Sequence, residues 1–86
     1  MNDLFYNQCK QILEPLENHG WVFTYFNKHE ILMRKKYQEL DEIHINTNGQ
    51  LIEFVMPIKN SQYSYFKKFY NDHDGLLFLK NYINYL

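Results

Sequence analysis

The chain has 86 residues, a mass of 10.6 kDa and a formal net charge of −1, which fits a single domain spanning residues 1–86. A hydrophobic content of 45% at that charge excludes a disordered chain, and Cys9, the one cysteine, excludes a disulfide scaffold. No apolar run approaches the ~20 residues of a membrane-spanning helix.

Surface scaling lets a chain this short bury only about 64% of its unfolded surface. Eight Tyr, seven Phe and one Trp enlarge what core there is. Alanine is absent, while residues with A/T-rich codons (Asn, Lys, Tyr, Phe, Ile) are common, as in a low-GC bacterium, its phage or a plasmid. The start, Met1-Asn2-Asp3, carries no basic and apolar leader, and an unpaired thiol suits a reducing compartment, so the expected location is the cytoplasm.

The first element is a helix from Asp3 to about Asn18. Phe5, Cys9, Ile12, Leu13 and Leu16 recur at helical spacing, and Asn2 or Asp3 supplies a cap. Pro15 removes a hydrogen bond and crowds the carbonyl at Gln11, which predicts a kink or an end near Glu14. Gly20 is a natural left-handed stop.

Trp21–Phe26 reads as a strand, with Trp21, Phe23 and Tyr25 on one side and Val22, Thr24 and Phe26 on the other. Both sides are apolar. The strand is therefore covered twice or offers one side to a partner. A second strand covers Glu30–Tyr37. Its hairpin closes through Lys28-His29, setting Phe26 across from Ile31, or through Asn27–His29, setting Tyr25 there instead. That one-residue choice decides which aromatics face the core.

Asn48-Gly49 between two alternating runs predicts a two-residue hairpin turn, with strands at Leu40–Thr47 and Gln50–Met56. That turn pairs Ile45 with Ile52 and Ile43 with Phe54 on one face, and His44 with Glu53 on the other. Pro57 ends the run. Asn60 or Ser61 then caps an expected helix to about Tyr70, carrying Tyr63, Phe66, Phe69 and Tyr70 near one face. After the polar stretch Asn71–Gly75, a last helix covers Leu76–Leu86, capped by Asp74 and apolar around most of its circumference. The expected fold is α+β: an N-terminal helix, a four-stranded antiparallel meander, and one or two C-terminal helices packed on one sheet face.

Few residues carry chemistry. His44 opposite Glu53 has the makings of an acid–base couple, as in a nuclease, but also of a cross-strand pair on a solvated face, which Arg34, Lys36 and Glu42 suit. Asp72-His73-Asp74-Gly75 resembles the opening of a calcium loop. The position that must hold the closing Glu falls on Ile83, so this reads as a turn. The four histidines lack zinc spacing, and Cys9 lies on an apolar helix stripe. No cofactor motif is present, and no catalysis is expected.

Two binding readings remain. The apolar excess predicts an exposed aromatic patch, with Trp21, Phe23, Tyr25, Tyr82 and Tyr85 as contacts for another protein or for a homodimer. A short chain of this kind suits an inhibitor, an antitoxin or an immunity-type protein. The alternative is nucleic acid, bound by the lysine–aromatic clusters Arg34, Lys35 and Lys36 and Lys67 and Lys68. The pI of about 6.4 lacks the basic footprint of a dedicated binder. Membrane contact is not expected.

Overall fold

A computed structural model describes residues 3–27, 30–36, 38–48 and 50–86, with side chains for all of these but 38–40. The chain runs α1 (Asp3–Leu13), a 3-10 segment (Glu14–His19), β1 (Trp21–Phe26), β2 (Glu30–Lys35), β3 (Gln38–Asn48), β4 (Leu51–Pro57), β5 (Ser64–Phe69), α2 (Asp72–Tyr82) and a final 3-10 turn (Ile83–Tyr85). The class is α+β, with an N-terminal helix, a sheet and a C-terminal helix. The sheet has five strands rather than four, all antiparallel, in the order β1-β2-β3-β4-β5. β1 and β5 are its edges.

Pro15 acts as its chemistry requires. The α-helix stops at Leu13, the tighter 3-10 turns take over, and Gly20 closes them at φ 89°, its N–H donating to the Leu16 carbonyl. From α1, Phe5, Tyr6, Cys9 and Leu13 enter the core. They meet Ile31 and Met33 of β2, Ile43 and Ile45 of β3, and Ile52, Phe54 and Met56 of β4. All of these strand residues share one face, so both helices lie on the same side of the sheet. Each large aliphatic or aromatic side chain fully withdrawn there stabilises the fold by about 1.5–3 kcal/mol.

α2 rests on the β4–β5 half. Phe78 packs its ring against Phe54 at 5.4 Å and Phe69 at 5.3 Å, and stacks on Tyr65 at 6.0 Å. The helix begins at Asp72, four residues before the expected Leu76. Its cap is Asn71, not Asp74: the Asn71 side chain accepts from the Asp74 N–H at 2.9 Å and donates to the Asp74 carboxylate at 2.9 Å. Gly75 sits inside the helix, buried. A Cβ there would come within 3.3 Å of the Phe54 ring, so glycine allows the helix to approach the sheet rather than ending it.

The segment expected to be a helix over Ser61–Tyr70 is instead a turn and strand β5. Asn60 and Ser61 serve the turn. Asn60 adopts φ 62°, the Ser61 N–H donates to the Ile58 carbonyl, and Ser61 Oγ accepts from the Tyr63 N–H. Residues that cap helices make turns for the same reason, a short polar side chain close to the backbone.

One register differs from expectation, and another takes up both expected alternatives in turn. Asn48 pairs with Leu51 and Ile45 with Phe54, a shift of two residues from the expected ladder. A shift of two keeps each side chain on its own face, so the apolar set stays buried. Gly49 of the expected turn lies outside the described residues, as do Asn2, Lys28 and His29. In the first hairpin Phe26 pairs with Ile31 and Tyr25 with Leu32, but Phe23 pairs with Met33. Thr24 is an extra residue, a β-bulge, and the inside–outside alternation resets there. Phe26 therefore joins Trp21 and Phe23 on the helix side, its ring against Tyr6 at 5.9 Å and Phe23 at 6.4 Å. Tyr25 is released to the other side.

Candidate protein-binding face

Among the described residues none forms a layer over the sheet face away from the helices. The antiparallel registers align Tyr25, Leu32, His44, Val55 and Phe66 as successive cross-strand neighbours. One residue comes from each strand, so the row crosses the sheet from edge to edge. Tyr25 and Phe66 at its ends are 51% and 52% exposed, and the three inner residues are half-buried by their neighbours. Beside this row Val22, 37% exposed, pairs with Arg34. Apolar side chains thus occupy four of the five places in the row and reach both edges.

Charges flank the row and answer one another. Arg34 Nε donates to Glu42 Oε1 at 3.2 Å. His44 Nε2 lies 2.8 Å from Glu30 Oε1. Glu53 pairs across strands with Lys68, whose ammonium sits 5.4 Å from the Phe66 ring centre. Among the described residues of this face, Glu30, Glu42 and Glu53 outnumber Arg34 and Lys68 by one. Their contacts with one another leave no net basic field.

The expected His44–Glu53 couple does not form. The two-residue register shift places Val55 opposite His44 and Asn46 opposite Glu53, and His44 turns to Glu30 on β2. Leu32 and Val55 flank the imidazole on either side, and neither offers a nucleophile. Cys9, the most nucleophilic side chain, is fully buried, and burial pushes its thiol up to about 12.

The five aromatic contacts expected from the sequence are scattered. Trp21 is 3% exposed and belongs to the core, and Phe23 packs against that core half-buried. Tyr25 alone of the five lies on the open face. Tyr82 is half-buried in the helix layer. Its hydroxyl donates to the Pro57 carbonyl at 2.8 Å, and burial raises its pKa. Tyr85, 70% exposed, lies against Tyr82 and lines a shallow groove of about 320 Å³ with Pro57, Ile58 and Lys59. The sequence reading missed Leu32, Val55 and Phe66. For Leu32 and Val55 the signal was present, since each alternates with buried neighbours. Phe66 was hidden by the helix assigned to its segment.

The basic residues are separated too. Arg34 is committed to Glu42, Lys35 is half-buried opposite Trp21, and Lys36 is exposed in the turn after β2. Lys67 and Lys68 are adjacent on a strand and so point to opposite faces. Lys67 reaches the Phe69 ring at 5.8 Å on the helix side, while Lys68 reaches Phe66 on the open side. No single groove gathers them.

Among the described residues no helix is long and apolar enough to cross a membrane. Comparison with protein-family models, with curated proteins and with solved structures finds no match for the chain.

Proposed function

We propose that the chain is a small non-catalytic protein-binding module that engages its partner through the open face of the sheet. The observation that carries this reading is the cross-strand row Tyr25, Leu32, His44, Val55 and Phe66, an apolar stripe with no helix over it. Rings at both ends and aliphatic side chains between them supply a desolvated centre, and the paired charges supply a polar rim. Tyr25 and Phe66 are the anchors. Tyr85 at the separate groove is an additional contact point. A lone buried Cys9 suits a reducing cytoplasm, and the size and composition suit an inhibitor, antitoxin or immunity protein of a low-GC bacterium or phage.

The test is a photo-crosslinking amino acid placed at Phe66, and in a control at Leu77, which is 51% exposed on α2 on the helix side. Crosslinks to a protein are expected from position 66 and not from 77. In the reconstituted complex, Phe66→Glu should weaken binding at least about tenfold, the loss of an aromatic anchor and the gain of a charge against an apolar row, with an unchanged melting temperature. A folded Phe66→Glu variant that binds as well as the parent chain would remove the open face from consideration.

A further inference from the structure

We propose that the protein seated on the open face is a second copy of this chain, related by a two-fold axis that runs across the strands along the Tyr25–Phe66 row. This rests on the reading of the open face as a binding surface and names its occupant.

Two sheets packed face to face by two-fold symmetry have two simple choices of axis. An axis parallel to the strands, through β3, exchanges β2 with β4. It sets Glu30 over the partner's Glu53, and Glu42 over the partner's Glu42, so like charges meet at two kinds of contact. An axis across the strands keeps each strand over its own copy and exchanges the two flanks of the row. Arg34 then lies over the partner's Glu30, and by symmetry Glu30 lies over the partner's Arg34. Glu42 lies over the partner's Asn46. Glu53 and Lys68 lie over uncharged positions of β4 and β5. Among the described residues of the flanks no like charges face each other, and two opposite-charge contacts form, while His44, on the row itself, meets the partner's His44 under either axis. The flanks owe this complementarity to the sequence of β2, which sets Glu30 and Arg34 two residues to either side of Leu32 on one face.

The same axis places the row upon its own image. Leu32, Val55 and Phe66 each meet their counterpart, which is the self-complementarity an isologous contact needs. The size fits a reversible dimer. Five strands at their usual spacing cover about 24 Å, and three rows with their side chains cover about 20 Å, a footprint of roughly 500 Å² per copy. About 1,000 Å² in total is at the lower end of specific interfaces, the size of weak and reversible complexes.

Sedimentation equilibrium of the full chain between about 1 μM and about 1 mM tests the arrangement, across the range where a weak dimer forms. The parent chain should pass from monomer to dimer. Arg34→Glu places a glutamate over the partner's Glu30, and Glu30→Arg places an arginine over the partner's Arg34. Each should weaken the dimer at least about tenfold, since it sets like charges against each other across the interface. The double variant restores opposite charges and should restore the dimer. Circular dichroism confirms that each variant is folded. A dimer that both single variants leave intact, or one that the double variant fails to restore, overturns the arrangement. A parent chain that stays monomeric overturns the second-copy assignment alone. The Phe66 crosslink to a different protein then still decides whether the face binds a partner.

Discussion

Cys9 shows how far burial governs a single side chain here. The thiol has no solvent exposure, and desolvation, with the charge of Asp72 adding to it, pushes its pKa from 9.0 up to about 12. Native protein should resist iodoacetamide while unfolded protein reacts at once. Stability follows the same shift. The folded state holds the proton to about pH 12, while the unfolded chain releases it near 9.0. Above that lower value the unfolded state binds fewer protons, so stability falls as pH rises. The contribution is fully present below pH 9 and is lost between about 9 and 12, at about 1.4 kcal/mol per pH unit. Tyr6, raised from 10.0 to about 12 by burial, adds a loss of the same sign above pH 10. Urea titrations at pH 8, 10 and 11 read the slope, and Cys9→Val should remove the thiol's part of it. Gly75 is the other residue whose role turns on space. Gly75→Ala adds about 1 kcal/mol of helix propensity, but its methyl meets Phe54, which Phe69 and Phe78 hold in place. Overpacking of about 1–3 kcal/mol outweighs the gain, so the variant should melt at a lower temperature.

At the scale of elements, β5 explains why the basic residues do not collect. In a helix Lys67 and Lys68 would stand about 100° apart, near enough to serve one surface. In the strand they alternate, one toward the helices and one toward the open face. Anisotropy titrations with single- and double-stranded oligonucleotides should therefore show only weak binding at low salt. Lys67→Gln and Lys68→Gln should change it by less than about twofold, the loss of an isolated phosphate contact being small. Tight binding that falls steeply with salt would instead put these lysines in one site. The sequence made α1 legible through its 3.6-residue stripe, and β3 and β4 through alternation that survives a two-residue shift. It concealed β5, because Tyr and Phe spaced at three and four residues mimic a helical face, and because Asn60 and Ser61 serve turns and caps alike. The free edge of β4 and the rings of Phe54 and Phe78 decide the matter, and both are tertiary. The bulge at Thr24 was equally hidden. The two hairpin alternatives each describe half of β1, one on either side of the extra residue.

The whole molecule is a two-layer stack in which each strand neighbours the next in sequence, with a helix at each end of the chain closing over one face. That plan was legible in part, because a chain this short has too little helix to cover both sides of one sheet, although one of the helices expected is strand β5. The site was less legible. Exposure depends on which half of each strand faces inward, and in β1 that answer changes midway. The bulge has a further consequence for how the molecule behaves in a crowd. β1 is a sheet edge built from Trp, Val, Phe, Thr and Tyr, with no charge and no proline to guard it. A flat edge of that composition invites strand-by-strand growth into fibrils. Thr24 breaks the even spacing of the edge's free amides and carbonyls and bends them out of line. One extra threonine thus sets against edge-to-edge growth on β1 what two lysines set against it on β5.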